Sequence, residues 1–224
     1  MSITRWAAAG LGLAVVLGGA YLYRGRRAQS APKLAEPAPV WKSVIAAHTS
    51  GVVSRKSRLF VRFQSDVFSA AAEGKPANGV VSVTPSVDGE PIVSGSRELV
   101  LVPKSDLEGG AFYVVRVRGG SAPGLPAKAG DYEFSFQVMP RDFSVSVDGL
   151  VRGNGPDDTW QAGGTVTTSD AEEPSAVEGL LTATFEGERL PVQWTHPAST
   201  NAHGFTVSGI RRPPQTRKLA LRWN

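Results

Sequence analysis

The chain has 224 residues, 41% of them hydrophobic, which is enough for one large domain or two small domains with packed cores. It contains no cysteine, so disulfides, thiolate metal sites, a cysteine nucleophile and a lipid-modified cysteine anchor are excluded within it. The net charge of +4 comes from the first 36 residues, because residues 37–224 hold 19 of the 24 basic and 19 of the 20 acidic residues. This balance argues against nucleic-acid binding, which needs a basic face.

The N-terminal segment carries the main targeting signal. Residues 6–23 form an uncharged run of 18 residues with Trp6, Tyr21 and Tyr23 at its ends. This is near the lower length limit of a bilayer-spanning helix, and aromatic rings favour the membrane interface. We therefore predict a membrane anchor within residues 1–27. A cleaved signal peptide, with Gly18 and Ala20 as the small residues before the cleavage site, is the alternative.

Two features follow this apolar run. Arg24, Arg26 and Arg27 outnumber Arg5 and the amino terminus, so the positive-inside rule alone would keep the rest of the chain in the cytoplasm. Residues 28–40, AQSAPKLAEPAPV, are rich in alanine and proline, which predicts a semi-extended linker rather than a helix.

Residues 41–139 have the pattern of an antiparallel β-sandwich, with short apolar segments separated by turn signals. Strands are predicted at 40–47, 58–64, 80–87, 97–103, 111–118 and 131–138. Turns are predicted at Ser50-Gly51, Asn78-Gly79, Asp88-Gly89, Gly109-Gly110 and Gly119-Gly120. Pro140 follows the last strand and has no N–H for a β-ladder, so we predict a module boundary there.

Residues 140–224 form a second predicted β module, with strands at 143–148, 164–168, 190–195, 205–208 and 218–223. One short helix interrupts them: Ser175 and Glu178 fit a capping box, and Val177, Leu180 and Leu181 form an apolar stripe at helical spacing. The helix is expected to end near Ala183. The chain stops directly after an apolar strand, which favours a module that is incomplete at its C-terminus.

The predicted fold class is therefore all-β: two consecutive antiparallel β-sandwich modules after an N-terminal transmembrane or signal helix, with one short helix in the second module. Two series of segments resemble the N-terminal region of bacterial alpha-2-macroglobulin family proteins. The first series is HTSGVVSRKSRLFVRF (48–63), VTPSVDG (83–89) and LVPKSDLEGGAFYVVRV (101–117), and it resembles an Ig-like module of that family. The second is FSVSVDGL (143–150), DDTWQAGGTVTTSDAEEPSAVEGLL (157–181), LPVQWTH (190–196), HGFTVSGI (203–210) and LALRWN (219–224), and it resembles the module that follows.

The resemblance implies part of a protease trap. Family members are long periplasmic or surface proteins in which cleavage of a bait segment triggers a conformational change, and many carry a Cys–Gln thioester. This chain has no cysteine and no segment assignable as bait. The resemblance thus implies non-enzymatic scaffold modules of an endopeptidase inhibitor, without cofactors, small-molecule substrates or nucleic acid. Its implied partners are the membrane, through the N-terminal helix, and proteases, through the full-length protein. The implied location is the inner membrane, single pass, with the body in the periplasm.

The candidate chemical groups are few. His48, His196 and His203 are the histidines, and His196 and His203 could meet across a hairpin, but two histidines without a third ligand make a poor zinc site. No serine has the Gly-x-Ser-x-Gly context of a nucleophile elbow, and the glycine pairs are typical of turns rather than phosphate loops. No catalytic, cofactor-binding or metal residue is therefore predicted.

The remaining polar and aromatic groups have ordinary explanations. The carboxylates Asp157, Asp158, Asp170, Glu172 and Glu173 lack EF-hand spacing and are expected in solvated loops. The basic turn Arg211-Arg212-Pro213-Pro214 is interpreted as solvated, with a partner contact as the alternative. Trp160, Trp194 and Trp223 are expected to fill the core rather than to form a carbohydrate platform. Two other functions remain open: a stand-alone, membrane-anchored envelope adhesion or binding module, and a hydrolase with a dispersed site.

Overall fold

A computed structural model describes residues 30–153, 159–198, 201–211 and 215–223. The anchor predicted within residues 1–27 lies outside them, and within them no helix is long and apolar enough to cross a membrane. The described chain divides into two compact units. The first unit holds the residues up to Asp142 together with Ser169–Ala171, and the second unit holds Phe143–Thr168 and residues 172–223. The all-β prediction is confirmed, since strands dominate and the described residues contain one five-residue α-helix.

The strands of the first unit are β1 (Ile45–His48), β2 (Gly51–Val53), β3 (Leu59–Phe63), β4 (Val81–Thr84), β5 (Pro91–Val93), β6 (Glu98–Leu101), β7 (Phe112–Val117) and β8 (Tyr132–Val138). Its two 3-10 helices are Pro39–Ser43 and Ala70–Ala72. The second unit has β9 (Phe143–Arg152), β10 (Thr159–Thr168), helix α1 (Pro174–Glu178), β11 (Leu181–Phe185), β12 (Glu188–Arg189), β13 (Val192–Thr195), β14 (Ala202–Arg211) and β15 (Leu219–Trp223).

The first unit contains two four-stranded sheets, with strand orders β1-β3-β6-β5 and β2-β8-β7-β4. Alternate residues of both sheets, such as Phe63, Leu99, Val117 and Phe136, are buried in one hydrophobic core. This arrangement follows from period-2 patterning, because every second side chain of a strand points to the same face. The strand orders are compatible with the Ig-like sandwich expected from the sequence.

The first unit is not purely antiparallel, which corrects the prediction. Strand β2 pairs with β8 in parallel, with Gly51 opposite Phe136 and Val53 opposite Val138. Gly51 has φ of 71°, a conformation that glycine adopts at low cost. At this point the chain leaves the sheet of β1 and enters the sheet of β8 instead of forming a hairpin with β1.

The second unit contains a four-stranded sheet of order β13-β14-β10-β9 and a three-stranded sheet of order β12-β11-β15. All of their pairings are antiparallel. Side chains of both sheets form a second hydrophobic core, in which Val166, Ala183 and Val207 have no solvent exposure. The strands predicted at 143–148, 164–168 and 205–208 are the first part of β9, the last part of β10 and the middle of β14, so all three observed strands are longer than predicted.

The helix in the second unit exists, but its predicted bounds are wrong. It ends at Glu178 rather than near Ala183, and Ser175 lies inside the helix instead of capping it. Pro174 occupies the first turn, where its fixed φ suits a helix start. Leu181 belongs to β11, whose residues alternate between buried and half-buried. The period of 2 that begins at Leu181 therefore decides its structure, and not the helical spacing of Leu181 from Val177.

Three further differences have local causes. The strand predicted at 40–47 is a 3-10 helix followed by β1, because Pro39 favours a helix start and Trp41 turns into the core. Strands β2, β5 and β12 are missing from the prediction because two or three residues are too few to show period-2 alternation. Residues 30–38 of the predicted linker have no regular structure.

Candidate functional site

A pair of histidines in the second unit forms a compact group of titratable side chains with Glu178. His196 directly follows β13, and His203 lies in β14, which pairs with β13 in the register Thr195 opposite Gly204. This pairing brings Nδ1 of His196 within 2.9 Å of Nδ1 of His203. The structure thus brings together the two histidines that the sequence places on either side of one hairpin.

The hydrogen bonds of the pair constrain its protons. Nε2 of His196 lies 3.2 Å from Oε1 of Glu178, and a carboxylate accepts, so this nitrogen carries a proton. Nδ1 of neutral His196 then accepts a hydrogen bond from Nδ1–H of His203. Under this assignment Nε2 of His203 is a bare acceptor, and it is buried without a hydrogen-bond partner in the structure.

The environment favours the neutral form of His203. Only 4% of this residue is exposed, and burial lowers its pKa below the ordinary value. A positive charge on His196, when that ring is protonated, lowers the pKa of His203 further, whereas Glu172 acts in the opposite direction. A neutral imidazole is the state that accommodates an unpartnered ring nitrogen in the core at the lower cost.

The chemistry available to this histidine pair is limited. No group of three His, Cys, Asp or Glu in the described ranges could hold a metal ion. Among the described residues, the hydrogen-bond contacts of the pair join His196, His203 and Glu178. The ring of Trp194 stacks on His196 at a centroid distance of 5.9 Å, which further fixes that imidazole. The geometry is that of a packed polar contact between a helix and a hairpin.

His48 is part of an aromatic cluster in the first unit. Its ring stacks on Phe134 at 4.0 Å, and its Nε2 lies 3.2 Å from the hydroxyl of Tyr132. The ring of Trp41 lies 5.6 Å from that of Tyr132. His48 therefore ends a strand and packs against β8 rather than lying in an open loop.

A buried ionic cluster in the first unit has no signal in the sequence. Asp170 is 7% exposed, and Oδ2 accepts a hydrogen bond from the backbone N–H of Arg55 at 2.6 Å. Its other oxygen accepts from the N–H of Ala171 at 2.8 Å. The guanidinium of Arg55 pairs with Asp106 at 2.7 Å. The prediction that Asp170 lies in a solvated loop is therefore wrong, because three consecutive residues, Ser169–Ala171, pack with a distant part of the chain.

This cluster controls the ionisation of Asp170. Burial alone would raise the pKa of the carboxyl group, but the hydrogen bonds from Arg55, Ser54 and Ala171 and the charge of Arg55 outweigh it. The net result is a pKa below the usual value. The charged carboxylate of Asp170 thus accepts the hydrogen bonds that hold the segment Ser169–Ala171 against Arg55. Sequence analysis could not find this contact, because 115 residues separate Arg55 and Asp170.

The other residues singled out in the sequence are the three tryptophans, the remaining carboxylates and the basic turn. Trp160, Trp194 and Trp223, expected from the sequence to fill the core, are half-buried and pack against the second core from its periphery. Asp157, Asp158, Arg212, Pro213 and Pro214 lie outside the described residues, so the interpretation of the acidic pair and of the basic turn stays a prediction. Glu172 and Glu173 lie directly before α1.

Two pockets are lined by described residues, one of them very small and the other open to solvent. The gap between the sheets of the first unit measures about 20 Å³ and is lined by apolar side chains including Leu59, Val83 and Phe134, which leaves space for no more than a water molecule. A wider groove of about 530 Å³ on the second unit is shallow and open, and Glu186, Arg217 and Arg222 line it.

Comparison with known proteins gives little further information. No family model and no curated protein match the sequence. Among solved structures, the chain is similar to the crystal structure of an L,D-transpeptidase from Mycobacterium tuberculosis H37Rv, with 15% identity and a TM-score of 0.29. The match covers 70% of this chain and 61% of that chain, so this chain spans less than two thirds of that protein's length. A likeness this distant says nothing about the chemistry of this chain.

Proposed function

We propose that the two units are non-enzymatic scaffold modules from the front of a longer, alpha-2-macroglobulin-like protease trap. The observation that carries the proposal is the ordered series of resembling segments, which runs through both units in one order. In the first unit these segments include β3 and β7, and in the second they include β9, β13, β14 and β15. The resemblance therefore lies mainly in the strands that build the cores, as expected of shared modules.

The polar clusters are consistent with a scaffold. The Arg55–Asp170 cluster fixes a backbone segment, and the His196–His203 pair joins a hairpin to α1 through Glu178. In both clusters most polar atoms pair with one another, and the exception is Nε2 of His203, which is buried without a hydrogen-bond partner. Side-chain contacts of this kind make a module rigid. In a protease trap, the modules that do not carry the bait segment would serve as rigid support.

The proposed location is the inner membrane, with a single pass in residues 6–23 and the body in the periplasm. The proposal rests on the apolar N-terminal run and on the location of the family that the chain resembles. Arg24, Arg26 and Arg27 favour the opposite orientation. Spheroplasts treated with an external protease distinguish the two, because a periplasmic body is digested in intact spheroplasts and a cytoplasmic body is protected.

The central test is the size and activity of the native product. An antibody against residues 41–224 is used to blot cells of the source organism, and we expect a band several times heavier than the 23.6 kDa of the 224-residue chain. The purified longer protein should retain added protease in a stable complex, whereas the 224-residue chain should not. Stoichiometric inhibition of several proteases by the 224-residue chain would contradict the proposal.

A blot with a band near 23.6 kDa would instead favour the stand-alone envelope module. That alternative predicts a ligand for residues 41–224 by themselves, recovered from an envelope extract on the immobilised body. A hydrolase is a third outcome, which an activity screen would detect and which substitution of His196 and His203 should abolish.

A further inference from the structure

The two units share a strand arrangement, and the comparison reveals an unfilled position in the second. The sheet β1-β3-β6-β5 of the first unit corresponds strand for strand to β9-β10-β14-β13 of the second. In the other sheets, β4 and β7 of the first unit correspond to β11 and β15 of the second. In the first unit β7 has neighbours on both sides, β4 and β8. In the second unit β15 pairs with β11, and no other described strand lies beside it.

Strand β15 therefore presents an open edge in the described structure. Its side chains Leu219 and Leu221 are each only 2% exposed, so the strand is a full member of the core. An edge strand of this kind exposes unpaired backbone N–H and C=O groups, and proteins usually cover, charge or shorten such edges. Arg222 is the one charged residue within β15, and it pairs in register with Thr182 of β11.

The first unit shows what normally covers this side of the sandwich. Strand β8 buries Phe134, Phe136 and Val138 to 4% exposure or less. It also contacts the first strand across the two sheets, since Phe134 stacks on His48 at the end of β1. A strand at the β8 position thus covers both the edge of its own sheet and the inner face of the first strand.

The corresponding first strand of the second unit, β9, is half-buried on its inward face. The inward-facing residues of β9 are Phe143, Val145 and Val147, and all three are only half-buried. Inward-facing residues of the central strands β10 and β14, such as Val166 and Val207, have no exposure. The first strand β1 of the first unit is likewise at most half-buried, so the half-burial of β9 is that of an outer strand, and its three apolar side chains leave surface that an added strand could contact.

We propose that the open edge of β15 accepts an additional strand, the eighth of the second unit, supplied by polypeptide that lies downstream of these residues in the longer protein. The inference rests on the proposed function, which places such polypeptide there. The added segment would run antiparallel to β15, as β8 does to β7, and would alternate apolar and polar residues. Its apolar side chains would cover Phe143, Val145 and Val147. Strand addition of this kind uses backbone hydrogen bonds for affinity and side-chain pockets for specificity.

The test is amide hydrogen exchange in the 224-residue chain and in the longer native protein. We expect alternate amides of β15 to exchange rapidly in the 224-residue chain and to slow by about a hundredfold or more in the longer protein, because they gain hydrogen-bond partners. The amides of β7, which already has two neighbours, serve as the internal control and should exchange alike in both proteins. Protection in β9 should rise together with that in β15.

The other outcomes would overturn the inference. Fast exchange in β15 of the longer protein would show that its edge stays open there, and would leave the proposed function standing. Slow exchange in the 224-residue chain at all dilutions would mean that residues of the chain already fill the edge. Slow exchange only at high concentration would mean that a second copy fills it. If the blot shows no longer protein, the proposed function fails first, and the inference fails with it.

Discussion

The effect of a single residue on the stability of this chain depends on its burial more than on its chemical type. Asp170 and Asp88 are both loop carboxylates by sequence. Asp170 is buried and accepts two backbone N–H groups, whereas Asp88 is exposed and lies 3.7 Å from the amine of Lys104. A buried acceptor that loses its charge leaves donors unsatisfied, and an exposed one exchanges its partner for water. The same argument separates buried His203 from the exposed ion pairs on the surface.

Replacing the Asp170 carboxylate should destabilise the first unit. In Asp170→Asn one oxygen becomes an NH₂ group that faces a backbone donor, so we expect a loss of about 1.5–3 kcal/mol in the free energy of unfolding at pH 7. Urea denaturation measures it, with Asp88→Asn as the matched control, which should change stability by less than about 0.5 kcal/mol. Equal effects of the two variants would contradict the role assigned to Asp170.

The same carboxylate predicts a pH dependence. Its pKa is lower in the folded state than in the unfolded state, so its stabilisation is present above the unfolded value of about 3.9 and is lost as the pH falls through the folded value. In Asp170→Asn this part of the acid destabilisation should disappear. The difference in unfolding free energy between the wild type and the variant should therefore shrink as the pH falls below about 4.

His203 predicts a pH dependence in a milder range. Its folded pKa is lowered, so the unfolded chain binds more protons below about pH 6.5 and stability falls as the pH falls. His196 and Glu172 both face this group and affect its pKa in opposite directions. In His203→Asn an amide can still donate to His196, and the loss of stability between pH 7.5 and 5.5 should be smaller than in the wild type. His48→Asn, in the first unit, should leave this loss unchanged, and an equal reduction in both variants would contradict the prediction.

At the level of the elements, strand positions depend on close contacts between neighbours. Strand β10 lies between β9 and β14 and contains Gly163 and Gly164 in succession. A Cβ atom on Gly164 would collide with the carbonyl oxygen of Ser146 and with the ring of Phe205. On Gly163 it would find nothing closer than 3.6 Å. Gly164 is therefore required by the approach of two neighbouring strands, and Gly163 is not.

Adding one methyl group at each glycine tests this difference. Gly164→Ala should destabilise the second unit by about 3 kcal/mol, because the backbone of Ser146 cannot move away without breaking the β9–β10 ladder. Gly163→Ala should change the stability by less than about 1 kcal/mol. Thermal unfolding of the two variants gives the comparison, and a similar fall in Tm for both would show that the close approach at Gly164 relaxes.

At the level of the whole molecule, the chain is built from two units with separate cores. The core of the first unit includes Phe136, and that of the second includes Leu221, each 2% exposed. Each core is closed by side chains from two sheets of its own unit. In an arrangement of this kind, the loss of a buried side chain lowers mainly the stability of the unit that contains it.

Truncation of one core residue in each unit tests this separation. Phe136→Ala should cost the first unit about 3–5 kcal/mol, and Leu221→Ala should cost the second about 2–5 kcal/mol, through the lost burial and the cavity left behind. Hydrogen exchange resolves the two units, and protection should fall mainly among amides of the unit that carries the substitution. A uniform fall through both units would mean that they unfold as one cooperative body.

The sequence by itself determined the all-β class, because alternating apolar residues with glycine turns are a local signal that survives without tertiary structure. It also predicted the positions of most of the longer strands, and it predicted that His196 and His203 lie on one hairpin. The tertiary structure decided the rest. The parallel partner of β2, the end of α1 and the burial of Asp170 depend on contacts between distant segments, and Arg55 meets Asp170 across 115 residues. Local patterns carry no information about such partners, because the free energy that selects them comes from packing in the folded chain.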